Sequence, residues 1–302
     1  MKLAAIDIGS NAARLLITEV SVGEAGKPSF QKLNLVRVPL RLGFDVFEHN
    51  RISDEKTTMV LKTISAYKAL LDVYNVDHVT ACATSAMRDA ENGPQIIARV
   101  KAETGIEIEI ISGDKEAGMI YENHIAENLS KDKAYLYVDV GGGSTELTFF
   151  ADMKLIFKES FNIGTIRLLK NQVSDELWDA MRDKLKAITK NYSGKMVAIG
   201  SGGNINKVFS LSKKKEGKPL LLETLRDYYK ELSSVDLEER KSLYKLKEDR
   251  ADVILPALTI YINVMKWAGI EEIFVPKIGL ADGLIQNLYA RISGNRPDEG
   301  KA

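Results

Sequence analysis

The sequence predicts an α/β protein built from two similar lobes. Three observations point there. Strand and helix patterns alternate along the chain, the alternation restarts in its second half, and each half opens on the same hairpin. The first hairpin is Ile6-Asp7-Ile8-Gly9-Ser10-Asn11, and the second is Val138-Asp139-Val140-Gly141-Gly142-Gly143-Ser144. Each puts a carboxylate at the end of an apolar strand, then small residues at a tight turn, then a second strand. Duplicated lobes place two such hairpins on opposite walls of one cleft. The expected division is 1–125 and 126–302, with the last helix able to pack back on the first lobe.

The elements follow in order. Strands are expected at Leu3–Ile8, Arg14–Val20 and Leu33–Leu42, where apolar residues alternate or run together. Ser53-Asp54-Glu55 opens a long helix with Val60, Ile64, Tyr67, Leu70 and Leu71 on one face. A strand at His78–Ala83, a helix ending near Gly105, a strand at Ile106–Ile111 and a helix over Asp114–Asn128 complete the first half. The second half repeats the plan with strands at Ala134–Val140, Ser144–Phe150, Leu155–Phe161 and Lys195–Ile199. A long helix over 248–268, a strand at Glu271–Val275 and a helix over Ala281–Ile292 close it. The apolar face of that last helix (Leu284, Ile285, Leu288, Tyr289) suits core packing first and a homodimer contact second.

Composition narrows the chemistry. With 45% hydrophobic and 28% charged residues, the 302-residue chain has a globular profile. Its 42 basic and 42 acidic residues balance, so nothing in the bulk charge marks a nucleic-acid binder, and a polyanion would need a local site. The single Cys82 excludes an internal disulfide and fits a reducing compartment. An opening of Met1-Lys2-Leu3-Ala4-Ala5-Ile6-Asp7 is no signal peptide, and no apolar stretch reaches membrane-spanning length, so a cytoplasmic protein off the membrane is expected. His49, His78 and His124 have no partner at i+3 or i+4, which argues against zinc and leaves acid–base work to carboxylates.

The turns are candidate phosphate seats. Successive backbone N–H groups in such glycine turns form a concave anion site, Ser10 and Ser144 add hydroxyl donors, and Arg14 offers a planar fork. Ordinary hairpin turns use the same residues, but two matched hairpins with aspartate at one offset favour phosphate. Asp7, Asp139 and Glu146 are the candidate metal carboxylates; hydrated magnesium needs only one or two of them, with phosphate oxygens completing its shell. Glu116, in the first turn after Ser112-Gly113-Asp114, reads equally as a catalytic group or as an acid opposing the helix dipole. Arg88 and Ser85 follow a strand, and Gly200-Ser201-Gly202-Gly203-Asn204 is a third glycine loop opening a helix. The run Lys213-Lys214-Lys215 with Lys218 reads first as a solvated loop.

Six ordered blocks give the chain a family likeness: Asp7-Ile8-Gly9-Ser10-Asn11 with Arg14, Ala83-Thr84-Ser85-Ala86-Met87-Arg88, Ser112-Gly113-Asp114-Lys115-Glu116-Ala117, Asp139-Val140-Gly141-Gly142-Gly143-Ser144-Thr145-Glu146, Ile163-Gly164-Thr165-Ile166-Arg167 and Arg250-Ala251-Asp252. In these it resembles the exopolyphosphatase and guanosine-pentaphosphate phosphatase family of the actin-like ATPase-domain superfamily. The resemblance implies two ribonuclease-H-like lobes with the active site in the cleft between them. It makes Glu116 the base that activates water, places Asp7 with it in the catalytic group, and gives magnesium, with manganese as substitute, to Asp139 and Glu146. Ser10, Asn11, Arg14, Arg88, Gly142, Gly143, Ser144 and Gly203 would hold phosphates. Ala12 and Asn204 depart from the pattern, each standing where the family commonly carries a hydroxyl.

The expected reaction is exopolyphosphatase chemistry, in-line attack of water on the terminal phosphorus of polyphosphate. Guanosine pentaphosphate is the alternative substrate. Two other readings stay open: a kinase on the same two-lobe plan, for which no adenosine or acceptor site is visible, and a sensor that binds polyphosphate or nucleotide without cleaving it.

Overall fold

The structure, a computed structural model, describes residues 1–23, 26–113, 115–116, 132–152, 154–190, 192–276 and 279–294. It divides into two compact units: Met1–Ser112 with Gly279–Ala302, and Gly113–Ile278. The chain changes unit at Ser112, where the sequence reading put the change near residue 125, and the last helix belongs to the first unit.

The first unit holds β1 (Lys2–Ile8), β2 (Ala13–Val22), β3 (Pro28–Val38), β4 (His78–Ala83) and β5 (Glu109–Ile110), in the order β3-β2-β1-β4-β5. β1 to β3 form an antiparallel meander, and β4 and β5 add parallel strands on the other side of β1. Residues Leu3–Ile8 of this central strand are buried throughout, which is why the run is apolar on both faces until Asp7. Cys82, on β4, is buried as a structural thiol. Four helices lie in the described part of this segment: α1 (Leu42–His49), α2 (Asp54–Tyr74), α3 (Ser85–Asp89) and α4 (Gly93–Thr104).

Ser53 caps α2, its Oγ accepting from Lys56 N at 3.3 Å. The buried stripe Val60, Ile64, Tyr67 and Leu71 turns α2 inward. Tyr67 buries its ring and donates its hydroxyl to Ala13 O at 3.0 Å. Burial pushes that hydroxyl's pKa far above its ordinary value, so it stays a donor.

The second unit holds β6 (Lys133–Val140), β7 (Thr145–Ala151), β8 (Lys154–Phe161), β9 (Lys195–Ser201), β10 (Leu220–Leu221) and β11 (Glu272–Phe274), ordered β10-β11-β9-β6-β7-β8. Its plan repeats the first: an antiparallel meander β6-β7-β8, with β9 and β11 parallel on the far side of β6. The helices are α5 (Thr165–Leu169), α6 (Asp175–Thr189), α7 (Gly203–Leu211), α8 (Leu222–Ser233), α9 (Leu237–Leu243), α10 (Glu248–Ala251) and α11 (Ile254–Ala268). One sheet face, with Leu136, Val138, Leu147 and Phe149, shares a core with Ile254, Leu258, Tyr261 and Met265 of α11. The opposite face carries a smaller cluster of Tyr135, Tyr137, Phe150, Val197 and Ile199. By strand alternation that second face also carries Asp139, Glu146 and Ser201 at its end.

α12 (Leu280–Ile292) packs on β1, β2 and β4 of the first unit, burying Leu284, Ile285 and Leu288. Tyr289 meets Phe30 edge-on at 5.5 Å. The apolar face of the last helix is therefore core.

Several boundaries differ from expectation for identifiable reasons. β3 stops at Val38, short of the expected Leu42, because Pro39 has no N–H for the ladder, and α1 begins at Leu42. The strand expected at Ile106–Ile111 pairs only over Glu109–Ile110. The helix expected over 248–268 is two, α10 and α11, because Pro256 can neither donate to the carbonyl of Asp252 nor fit its ring beside it. The helix expected over Asp114–Asn128 falls almost wholly outside the described residues. Among the described residues no helix is long and apolar enough to cross a membrane.

Replacing Tyr67 by phenylalanine removes one buried hydrogen bond while keeping the ring. The expected cost is about 1 kcal/mol, read as a lower urea midpoint at unchanged slope.

Candidate functional site

The site in the second unit starts from strand register. β6 and β7 pair so that Asp139 faces Glu146 directly, and β7 and β8 pair so that Glu146 faces Ser160. β9, on the other side of β6, sets Ser201 beside Asp139. Four strands thus present the row Ser160, Glu146, Asp139, Ser201 on one face. Glu146 is buried, and its Oε1 accepts from Ser144 Oγ at 2.5 Å and Ser160 Oγ at 2.9 Å. Two hydroxyls therefore hold one of its oxygens and fix its orientation.

Glu116 joins this pair. One carboxylate oxygen from each of Glu116, Asp139 and Glu146 lies within 4.8 Å of the other two. The approach depends on Gly113: a Cβ there would lie 2.5 Å from Ser160 Oγ, so only glycine lets the segment leading to Glu116 pass so close to β8. Like charges opposed in a sheet destabilise it. At that spacing each charged pair repels by roughly 3 kcal/mol at an effective dielectric of 20. A divalent cation turns the repulsion into attraction, and all-oxygen donors of this kind suit a hard cation.

The turn beside these carboxylates is held from behind. Gly141 O accepts from Thr165 N at 3.0 Å, Gly142 O from Ile166 N at 2.8 Å, and Gly143 O from Arg167 Nε at 2.9 Å. The start of α5 and one guanidinium thus occupy the turn's carbonyls. A Cβ on Gly164 would lie 2.4 Å from Gly142 O and from the Gly143 carbonyl carbon, so helix and turn touch backbone to backbone. The turn's carbonyls are thus engaged on the side of the helix, and an anion could be received only by the N–H groups of the turn.

The first unit repeats this device. Ser10 O accepts from Gly43 N at 2.8 Å and Asn11 O from Arg41 N at 2.9 Å, so the start of α1 holds the turn. Ser10 Oγ and Ser85 Oγ lie 2.7 Å apart, tying the turn to the first residue of α3. Arg88 Nη1 donates to Ile111 O at 2.9 Å. The chemistry of this unit differs at one register position: Asp7 faces Arg14, and the two form a 2.7 Å ion pair. Asp7 is accordingly not part of the three-carboxylate group, and Arg14 spends part of its fork on Asp7.

Basic side chains collect near the start of the helix that opens at Gly203. α7 begins at Gly203, and a Cβ there would lie 3.3 Å from Arg250 Nη2. Burial, then the charges of Arg250 and Lys245, lower the pKa of Lys207 in the same helix. Three cations thus gather near a helix start whose N–H groups also attract negative charge. Beneath, Tyr261 of α11 donates its hydroxyl to Ser201 O; burial, then Asp139, push its pKa well above the ordinary value.

The structure therefore brings Glu116, Asp139, Glu146, Gly142, Gly143, Ser144 and Gly203 into one unit, and leaves Asp7, Ser10, Asn11, Arg14 and Arg88 in the other. The hydroxyl of Ser144, expected on phosphate, serves Glu146. Sequence reasoning assigned no role to Ser160, Gly113, Gly164, Arg167, Lys207 or Tyr261. Arg167 and Gly164 stood in a recognised block, whereas Ser160 and Lys207 had no signal short of strand order and packing.

The family model of the Ppx/GppA phosphatase family matches residues 20–291. The chain is 28% identical to a bifunctional 3-dehydroquinate synthase/phosphatase of Fusobacterium nucleatum, across 90% of this chain and 44% of that protein. It is 24% identical to a guanosine-5'-triphosphate,3'-diphosphate pyrophosphatase of Photobacterium profundum, across 96% and 59%. The chain thus spans about half the length of these relatives. In structure it is similar to an exopolyphosphatase from Cytophaga hutchinsonii, with TM-score 0.81 and 24% identity over 98% of this chain and 99% of that one. It is also similar to the Aquifex aeolicus Ppx/GppA family member, with TM-score 0.73 and 24% identity over 98% of this chain and 99% of that one. These matches establish the two-lobed, actin-like ATPase fold.

Gly164→Ala would drive a methyl group into the backbone of the second turn. We expect it to destabilise the protein by about 1–3 kcal/mol, measured as a fall in thermal midpoint of the whole chain, whereas Gly279→Ala, with open space around it, leaves the midpoint close to wild type.

Proposed function

Because the chain belongs to the Ppx/GppA phosphatase family, we propose that it hydrolyses the terminal phosphoanhydride of inorganic polyphosphate by metal-assisted attack of water. The observation that carries this is the group Glu116, Asp139 and Glu146, three carboxylates within 4.8 Å beside a glycine turn whose carbonyls are already bound. Asp139 and Glu146 are the residues that would hold magnesium, or manganese in its place; bound there, the ion would neutralise phosphoryl charge and act as Lewis acid.

The chain's own residues do the rest. Gly142 and Gly143 receive the non-bridging oxygens of the terminal phosphate on their N–H groups. Glu116 orients a water and takes its proton as the oxygen bonds to phosphorus. The phosphorus–oxygen anhydride bond breaks, and the shortened chain leaves with the electron pair as an anion. Arg250, Lys207 and Lys245 offer positive charge to the inner phosphates. Ser10, Asn11 and Arg88 of the first unit supply a second anion seat. Guanosine pentaphosphate is the alternative substrate, supported by the likeness to the Photobacterium profundum pyrophosphatase.

Phosphate release from polyphosphates of several lengths, guanosine pentaphosphate and ATP, in the presence of magnesium, tests the reading. Release from polyphosphate is expected, and Glu116→Gln should lower kcat by about 10²–10⁴-fold while polyphosphate still binds. Preference for the guanosine nucleotide moves the substrate to the alternative. Full turnover by Glu116→Gln removes its role as base, and binding without any release by the wild-type chain identifies a sensor.

A further inference from the structure

The run Lys213-Lys214-Lys215 with Lys218 takes no part in either turn. It follows α7 and precedes β10, and all four lysines are exposed. Glu216 is the one acid among residues 213–218, so four lysines against one glutamate leave +3 in a chain whose 42 basic and 42 acidic residues balance. Among the described residues none of the four lysines pairs with a carboxylate.

A charge run of this kind is ordinarily a solvated face. Two observations set this one apart. The loop is built: Lys214 N donates to Ser212 Oγ at 3.3 Å, Lys214 Nζ to Pro219 O at 2.9 Å, and Lys218 N to Lys215 O at 3.1 Å. Its backbone is thus ordered on folding, before any ligand arrives. Strand register supplies the second observation. Leu220 of β10 continues the row Leu136, Ala198, Ile273 across β6, β9 and β11. Asp139 and Ser201 lie further along β6 and β9 in the same direction. β10 runs antiparallel to β11, so the chain enters it through Lys218 and Pro219 from that end of the sheet. Three strand spacings, roughly 14 Å, separate β10 from β6. The loop therefore borders the end of the sheet that carries the carboxylates. α7, which starts at Gly203 near Arg250, Lys207 and Lys245, leads into it.

We propose that loop 213–218 is a second anion seat for the same substrate, receiving phosphates of a polyphosphate chain well inward of its terminal unit. The proposal deepens, and rests on, the polyphosphate reading of the carboxylate site. Lysine suits the task, because a compact charge on a flexible stem can meet the oxygens of a repeating chain without demanding one register. A nucleotide offers a few phosphates and then a sugar and base, so the seat selects long chains over guanosine pentaphosphate. The two seats act together: once the terminal phosphate is held, the inner chain is presented to the lysines at high effective concentration. The gain is in affinity and not in the bond-breaking step, so the loop lowers KM for long chains and leaves kcat alone.

Steady-state phosphate release from long-chain polyphosphate and from tripolyphosphate, with magnesium, tests it. Wild type is compared with the triple variant Lys213→Gln, Lys215→Gln, Lys218→Gln; Lys214 is kept because its Nζ closes the loop on Pro219 O. KM for the long chain should rise about tenfold at unchanged kcat, while both constants for tripolyphosphate stay at wild type. The matching triple arginine variant, which keeps the charge, should treat long chains as wild type does. An unchanged KM for the long chain overturns the seat. An equal rise for both substrates also overturns it, since the lysines then act as a general field. Equilibrium binding of long-chain polyphosphate, read without turnover, separates this from the catalytic reading. Weaker binding by the glutamine variant upholds the seat even where wild type releases no phosphate, whereas no binding by wild type removes seat and substrate together.

Discussion

The pairing of β6 with β7 is the constraint on which the second unit turns. An antiparallel register that sets Asp139 against Glu146 forces two carboxylates to the same side of the sheet, a few ångströms apart. Everything around them answers that crowding. Ser144 and Ser160 donate to Glu146, and Gly113 admits the segment that brings Glu116. In the first unit the same register joins Asp7 to Arg14, and the conflict disappears into an ion pair. One architectural plan thus yields a neutral hairpin and an acidic one, and the single difference between arginine and glutamate at equivalent positions separates them.

Both hairpins share a second economy. Each turn gives its carbonyl oxygens to the start of a helix that follows the third strand, α1 in one unit and α5 in the other. A helix start is rich in N–H groups without intrahelical partners, so the exchange satisfies both elements at once. It also commits the turn's acceptors to the helix side.

How much of this was legible depended on distance along the chain. Asp139 and Glu146 stand seven residues apart across a glycine turn, and a hairpin drawn from the sequence already faces one with the other. The three-strand meander and the parallel strands followed from apolar runs, and Ser53 announced α2. Ser160 carries no signal in the sequence because its meaning lies in lateral strand order, which periodicity does not reveal. Glu116 was ambiguous for a related reason: its place depends on a contact between Gly113 and Ser160, forty-odd residues apart in sequence. α1 goes unannounced in the sequence because the residue before it, Arg41, sits in the left-handed region with no side-chain cap to mark the start. The long helix over 248–268 showed its apolar period, but the proline that divides it acts on a carbonyl four residues earlier.

Direct contact between the backbones of Gly164 and the second turn has a thermodynamic consequence. No side chain lies between turn and helix, so no rotamer is available to take up slack, and the turn's shape is inherited from α5 as a rigid casting. A loop of three successive glycines would otherwise be among the most disordered stretches a chain can contain. Here its conformational entropy is surrendered once, during folding, and an incoming anion does not have to order it again. The glycines thus confer close approach on the turn without the floppiness that glycine ordinarily brings.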